Sequence, residues 1–222
     1  MQKIILIIIF LLTQTNTIIA METNTEKLIA ITFDDGPSRY TESILDIFYK
    51  NDSHATFFVL GNQIERNLEI FLKIYERGHE IGNHTFFHEN VTRLSRSNVI
   101  NTIVRTSNLI EKHTGVYPTL FRPPFGEIKN RERDILRILG YSIILWSVDP
   151  RDWNTADSNK IFEHIINNAR HGSIILLHDT RKSTYEAIAK AVPYLIENGF
   201  RLVTVSELLE NTRAGNIYRN RH

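Results

Sequence analysis

The sequence predicts an α/β fold built on a parallel β-sheet in a single domain. Seven short apolar runs, rich in β-branched and aromatic residues, alternate with segments of helical periodicity. The strand-like runs are apolar almost throughout, as expected for strands that helices cover on both faces. The 222 residues are 42% hydrophobic and 23% charged, which is typical of a globular domain. A doubly wound sheet and a barrel both fit this pattern.

The first half of the chain contains three predicted strands and three predicted helices. The strands are apolar runs bounded by turn residues or charges, at residues 28–33, 55–60 and 80–83. The helices repeat apolar residues every three or four positions, at residues 41–50, 68–76 and 98–113. The first strand ends at the turn signal Asp34-Asp35-Gly36-Pro37, and the last two helices stop close to Gly78 and Gly115.

The second half continues the alternation with four strands and three helices. The strands are predicted at residues 120–122, 141–148, 173–177 and 202–205. The helices are predicted at residues 131–139, 160–168 and 186–197. The pattern contains no repeat, linker or second domain, so the predicted domain covers residues 28–208. The basic tail, residues 211–222, carries Arg213, Arg219 and Arg221 and is expected to fray.

Residues 1–20 have the features of a bacterial export signal. Lys3 precedes an apolar run at 4–12, and Ala20 is a small residue suited to cleavage. The run is shorter than the roughly 20 residues needed to span a membrane, so no stable span is expected after cleavage. A buried first strand and an uncleaved anchor are the alternatives. Loss of Lys3 would lower the formal net charge from +1 to 0, and we expect a periplasmic, envelope or secreted protein.

Cysteine is absent, which restricts the possible chemistry. Thiol catalysis, iron–sulfur clusters, cysteine-ligated zinc and a disulfide framework are all excluded. A metal ion would have to be held by Asp, Glu or some of the nine His. The near-zero net charge predicts that nucleic acid is not a partner.

Polar side chains follow the predicted strands at one edge of the sheet. The strands are followed in turn by Asp34-Asp35, His84, Arg122, Asp149–Asp152 and His178-Asp179. In parallel α/β folds the active site forms beyond the carboxyl ends of the strands. Single residues of this kind are often turn residues or helix caps, but five such groups at one edge predict a functional site.

His84 and His88 are the strongest local signal for a metal site. Their i,i+4 spacing would place both imidazoles on one side of a helical turn. Two His and one carboxylate form a three-ligand site with open positions for water and substrate. Of the adjacent pair Asp34 and Asp35, one carboxylate would bind the cation and the other would remain a base. Two ordinary histidines and a plain turn are the alternatives.

Three further residues need partners. Arg122 lies at a strand end, where its planar guanidinium suits a carboxylate. His178 follows a strongly apolar strand, a good position for a general acid near neutral pH. Asp152 could orient His178 and favour its protonated form. A surface arginine, a core histidine, and a turn aspartate beside the core residue Trp153 are the alternatives.

Five ordered segments resemble the motifs of a known family. The segments are 32–37 (TFDDGP), 84–88 (HTFFH), 122–126 (RPPFG), 149–153 (DPRDW) and 176–178 (LLH). They resemble the five motifs of the polysaccharide deacetylases, which contain the NodB-homology domain and form carbohydrate esterase family 4. The resemblance spans about residues 28–208, with no departure at a functional position.

The resemblance implies a distorted (β/α)7 TIM-like barrel and a divalent metal, usually Zn²⁺, with Co²⁺ or another divalent ion possible. The implied metal ligands are Asp35, His84 and His88. The implied catalytic residues are the base Asp34, its partner Arg122, the acid His178, and Asp152 beside it, with Asp149 as a further helper. The implied substrate contacts are the N–H of Phe125 at the oxyanion, and Trp153 and Leu176 as walls of the acetyl pocket.

The resemblance also implies an activity and a partner. The substrate would be an N-acetylated glycan, peptidoglycan or chitooligosaccharide, whose N-acetylglucosamine units lose acetate. O-deacetylation of acetylated xylan would use the same residues, and a carbohydrate-binding protein without catalysis is another alternative. A phosphoesterase is a third, although a phosphate site would favour more cations than Arg122 alone. We expect a monomer.

Overall fold

A curled parallel sheet with helices outside it forms the framework of residues 26–221, the part of the chain that the computed structural model describes. The strands are β1 (Lys27–Asp34), β2 (Thr56–Val59), β3 (Glu80–Asn83), β4 (Leu120–Phe121), β5 (Ser142–Ile144), β6 (Ile174–His178), β7 (Phe200–Leu202) and β8 (Ile217–Tyr218). The helices are α1 (Thr41–Lys50), α2 (Gly61–Arg66), α3 (Leu68–Glu76), α4 (Arg96–Thr114), α5 (Asn130–Ile138), α6 (Ser158–Asn168), α7 (Lys182–Glu197) and α8 (Val205–Leu209). The predicted export signal, residues 1–20, lies outside the described residues.

The strand order identifies the sheet as a barrel. Strands β1 to β5 pair in sequence, β6 returns to pair with β1, and β7 also pairs with β1. The ring closes where Val148 bridges to Ile175, with the Leu176 N–H donating to the Val148 carbonyl at 2.9 Å. A doubly wound sheet reverses its strand order at a switch point, and this sheet does not. The distorted (β/α)7 barrel is confirmed, with closure between β5 and β6 reduced to one bridge.

Alternation along the strands sends side chains to two cores. In β1, Ile29, Ile31 and Phe33 pack outward against α1 and α7, whereas Ala30 faces the barrel interior. Successive side chains of a strand point to opposite faces, so Asp34 emerges on the interior side. The strand that supplies much of the apolar core therefore also delivers a carboxylate into the mouth of the barrel.

The last predicted strand was misplaced. Residues 202–205 were expected to form it, but β7 ends at Leu202 and Val205 begins the helix α8. Thr204 and Glu207 form a capping box, in which each side chain accepts a backbone N–H of the other residue. This S/T-x-x-E signature was visible in the sequence. Helix α2 was also missed.

The basic tail is ordered through Arg221, so the expectation of fraying was wrong. Ile217 and Tyr218 form β8, which pairs with β5, and the Leu145 N–H donates to the Tyr218 carbonyl at 2.8 Å. The Arg221 N–H donates to the Gly172 carbonyl at 2.8 Å. The tail is held because it satisfies backbone groups at the open side of the barrel.

The strand predicted at 141–148 is shorter than expected, with β5 ending at Ile144. The carbonyls of Ile144 and Leu145 accept hydrogen bonds from the Arg122 side chain. This contact joins residues more than 20 positions apart, so local sequence patterns did not reveal it. Within residues 26–221, none of the helices is both long and apolar enough to cross a membrane.

Candidate active site

All of the predicted site residues except Arg122 and Asp152, which are fully buried, line one cavity at the carboxyl ends of the strands. The cavity has a volume of about 490 Å³ and is lined by residues from every predicted motif: Asp34, Asp35, His84, His88, Phe125, Asp149, Trp153, Leu176 and His178. A larger cavity of about 750 Å³ lies near the opposite end of β1, beside Lys27 and His171. Among residues 26–221, the lining of the larger cavity contains no carboxylate, so we place the chemistry in the smaller one.

Asp35, His84 and His88 form a compact cluster of potential metal ligands. One ligand atom from each lies within 4.8 Å of the other two. Both His Nε2 atoms are 3.5 Å from Asp35 Oδ1. The structure therefore brings together the three residues that the family resemblance implied.

The backbone conformation that brings the two imidazoles together differs from the prediction. Residues 84–88 do not form a helical turn. Thr85 and His88 instead adopt the left-handed conformation, with φ of 70° and 61°. The Thr85 N–H donates to Asn83 Oδ1 at 2.8 Å, which helps to hold this turn. The explanation from i,i+4 helical geometry was wrong, although the rings are neighbours with centroids 5.1 Å apart.

The donors in this cluster suit a divalent cation. His84 Nδ1 lies 2.7 Å from the Arg122 carbonyl oxygen, a contact that places the proton on Nδ1 and leaves the Nε2 lone pair free for a ligand bond. Asp35 Oδ1 is buried and has no hydrogen-bond partner in the described part of the chain. Burial opposes ionisation, but the neighbouring imidazoles, that of His84 first, favour the ionised form and lower the pKa of Asp35 to about 2. Two imidazoles and one ionised carboxylate are an established ligand set for Zn²⁺.

Asp34 is paired with a fully buried arginine. The Arg122 side chain is 0% exposed, and its Nη1 donates to Asp34 Oδ1 at 2.8 Å and to Thr32 Oγ1 at 2.7 Å. Its other nitrogens donate to the main-chain carbonyls that end β5. A buried charge is stable only when it is paired and hydrogen-bonded. These bonds fix the orientation of Asp34, whose Oδ2 lies 3.7 Å from His84 Nε2.

His178 and Asp152 form a second pair, on the strand next to that of Asp34 and in the loop after β5. Asp152 is fully buried, and its Oδ1 lies 2.8 Å from His178 Nδ1. Asp152 Oδ2 accepts the His178 backbone N–H at 2.7 Å and the Thr184 hydroxyl at 2.6 Å. Burial alone would lower the pKa of His178, but the hydrogen bond and charge of Asp152, with Asp34 and Asp35, raise it to about 9. His178 is therefore protonated at neutral pH and can act as an acid.

The remaining predicted residues line the same cavity. Phe125 and Trp153 are 63% and 48% exposed, and Leu176 is buried at the wall. Phe125 adopts the left-handed conformation (φ 63°), and its ring lies 4.6 Å from that of His88. The Asp149 Oδ1 accepts the Arg151 N–H at 2.8 Å. The substrate-contact roles of these residues remain predictions.

Sequence reasoning missed several lining residues, among them Trp146 and Arg181. Trp146 lies inside the run predicted as a strand, and its ring packs so closely on Gly126 that a methyl group there would come within 2.9 Å. An aromatic residue near the carboxyl end of that run, close to the predicted site edge, was the available signal. Arg181 offered none, because an arginine before a helix is common.

Comparison with known proteins gives concordant results. A family model described as "Polysaccharide deacetylase" matches residues 21–144. A peptidoglycan-N-acetylglucosamine deacetylase of Bacillus cereus is 42% identical over 192 residues, 84% of this chain and 90% of that protein. The peptidoglycan-N-acetylmuramic acid deacetylase PdaC of Bacillus subtilis is 39% identical, over 83% of this chain but 39% of its own length. A solved structure of the T48 deacetylase with substrate superposes with a TM-score of 0.83 at 35% identity, covering 87% of this chain and 97% of that one.

Proposed function

The chain belongs to the polysaccharide deacetylase family, and from this premise we propose that it removes N-acetyl groups from the N-acetylglucosamine units of peptidoglycan and releases acetate. Chitooligosaccharide is the second substrate class. The observation that carries the proposal is one cavity whose lining holds a three-ligand cluster and one member of each of two pairs, Asp34–Arg122 and His178–Asp152. This arrangement supplies a base and an acid in the same cavity as a cation site.

Three residues share one proposed role, which is to bind a divalent ion. Asp35, His84 and His88 would hold a divalent ion, with Zn²⁺ first and Co²⁺ second. When bound there, such an ion polarises a carbonyl oxygen and lowers the pKa of water, which makes amide hydrolysis possible near neutral pH. Because Asp34 lies next to this cluster and is held by Arg122, it is free to accept a proton rather than to serve as a ligand.

The two pairs divide the proton transfers. Asp34 takes a proton from the attacking water as the new C–O bond forms at the acetamide carbon. His178, protonated through its contact with Asp152, gives a proton to the amide nitrogen as the C–N bond breaks. The products are acetate and a free amine on the sugar. The Phe125 N–H would stabilise the developing oxyanion, while Trp153 and Leu176 would enclose the acetyl group.

We propose an extracytoplasmic location, since the named relatives act on a cell-wall polymer. Cleavage of residues 1–20 and a monomeric state remain part of the proposal. The experiment that tests the function measures acetate release from peptidoglycan, chitin oligomers and acetylxylan, each with and without a chelator. We expect release from peptidoglycan first, abolished by the chelator and restored by Zn²⁺. Release from acetylxylan alone would replace the N-deacetylase by an O-deacetylase, and unchanged release in the chelator would remove the metal from the proposal.

Replacing Asp152 should change the pH dependence of this activity. The protonated form of His178 is present below its pKa of about 9, so kcat/KM should fall as the pH rises through that value. Asp152→Asn removes the charge that raises the pKa, so the basic limb should move to lower pH by about one unit or more. The measurement is kcat/KM between pH 6 and 10. Asp157→Asn, at the exposed start of α6, is the matched control. If the basic limb of the kcat/KM profile does not move in Asp152→Asn, the acid role of His178 is refuted.

A further inference from the structure

A buried carboxylate outside the proposed machinery packs against the turn that carries Asp35. Asp179 follows His178 at the end of β6, and β6 pairs with β1 so that His178 lies opposite Asp34. Asp179 therefore emerges beside the segment that leaves β1. The side chain is 0% exposed. A methyl group built on Gly36 would lie 2.1 Å from Asp179 Oδ2, so the carboxylate lies directly on the Gly36 main chain.

Hydrogen bonds tie the same turn to Asp179. The Thr41 hydroxyl donates to Asp179 Oδ2, and the Ser38 hydroxyl donates to the Asp179 main-chain carbonyl at 2.5 Å. The Ser38 N–H donates in turn to Thr41 Oγ1 at 2.7 Å. Asp179 is thus the point at which both ends of the segment from Gly36 to Thr41 are attached to β6.

The opposite side of this segment is attached to β2 and α2. The Leu60 N–H donates to the Gly36 carbonyl at 3.0 Å, and the Asn67 side-chain amide donates to the Pro37 carbonyl at 3.0 Å. With the turn fixed on both sides, Asp35 has little freedom. Asp35 adopts a left-handed conformation (φ 73°), which a residue other than glycine keeps only when its surroundings impose it.

Asp179 itself is costly to bury. Its Oδ1 has no hydrogen-bond partner among residues 26–221, and a buried carboxylate oxygen without a partner destabilises the fold. An apolar side chain would fill the same space at lower cost. The position of Asp179 against the turn that carries Asp35 suggests why a carboxylate is buried there: it accepts the bond that holds this turn.

We propose that Asp179 is a positioning residue for the cation site: it clamps the turn after β1 so that Asp35 faces His84 and His88, and thereby sets the affinity for a divalent ion. This inference rests on the cation site of the proposed function. Residues that orient metal ligands typically change metal affinity by about 10–100-fold when they are replaced.

The test is the Kd of Zn²⁺ for the full chain, measured by titration calorimetry, together with the visible absorption spectrum of the Co²⁺ form. We expect Asp179→Ala to weaken Zn²⁺ binding by about 10–100-fold and to change the Co²⁺ bands. Thr41→Val keeps the shape but removes the bond to Asp179 Oδ2 and the acceptor of the Ser38 N–H. Because the contact of Asp179 with Gly36 and the bond from Ser38 Oγ remain, Thr41→Val should weaken binding by less than Asp179→Ala. Asp179→Asn should restore most of the affinity, because its amide oxygen can accept the Thr41 hydroxyl.

Glu132→Ala is the matched control. Glu132 is another buried carboxylate (1% exposed), but it caps the start of α5, so its loss should lower the melting temperature and leave the Zn²⁺ affinity unchanged. Unchanged affinity in folded Asp179→Ala and in Thr41→Val would overturn the role of Asp179. If Asp179→Asn binds Zn²⁺ as weakly as Asp179→Ala does, the proposed clamp through Thr41 is wrong. A wild-type chain that binds no Zn²⁺ would instead overturn the cation site on which the inference rests.

Discussion

Asp34→Asn should lower kcat for acetate release by about 10²–10⁴-fold, the range expected when a general base is lost, while Zn²⁺ still binds. Asparagine has nearly the shape of aspartate, and its oxygen can still accept the hydrogen bond from Arg122 Nη1. It cannot take up a proton from water. The Asp35, His84 and His88 cluster does not include Asp34, so metal binding and catalysis should separate in this variant.

Two measurements make that separation visible: kcat on peptidoglycan, and Zn²⁺ stoichiometry and Kd by calorimetry. Asp46→Asn is the matched control, since Asp46 forms an exposed pair with Arg77 on the helical surface. Substantial acetate release by Asp34→Asn would exclude Asp34 as the base. Loss of Zn²⁺ binding in this variant would show that Asp34 is a ligand rather than a base.

His84→Ala should abolish both Zn²⁺ binding and acetate release. Its Nε2 is one of three ligand atoms within 4.8 Å of one another, and loss of a direct ligand should weaken binding by more than the roughly 100-fold seen when a supporting residue is replaced. The measurements are the bound Zn²⁺ per chain after dialysis and the rate of acetate release with excess Zn²⁺.

Because the His84 ring is buried, its removal also leaves a cavity and an unpaired Arg122 carbonyl. His88→Ala, at a half-exposed position, gives the same test with a smaller effect on folding. His164→Ala on the exposed face of α6 is the control for loss of a histidine. Stoichiometric Zn²⁺ binding by both His84→Ala and His88→Ala would exclude the proposed ligand set.

The location of the site could be predicted because it follows from the order of apolar and polar residues. The apolar runs before Asp34 and His178 are strands β1 and β6, and parallel pairing aligns Asp34 with His178. The bounds of β3 and α3 agree with prediction to the residue. Hydrophobic periodicity is sufficient to predict the bounds of a strand or helix that buries one face.

The conformation of the site could not be predicted in the same way. The spacing of His84 and His88 is compatible with a helix, and nothing in the spacing encodes the left-handed φ of Thr85. The early end of β5 depends on the Arg122 guanidinium, which takes the carbonyls that a longer strand would use. Asp179 was part of the fifth polar group, but its proposed role could not be predicted because it depends on Gly36 and Thr41, which are distant in sequence.

The seam between β5 and β6 has a consequence for synthesis of the protein. Residues 216–221 join its two sides, pairing with β5 through Tyr218 and with the start of β6 through Asn220 and the Arg221 N–H. These residues emerge from the ribosome after every other strand of the described barrel. The earlier strands can pair during elongation, and Val148 can bridge to Ile175, but the β5 edge that Ile217 and Tyr218 cover stays open until this segment has been translated. Nascent chains arrested before residue 216 should therefore remain sensitive to protease along the β5 edge.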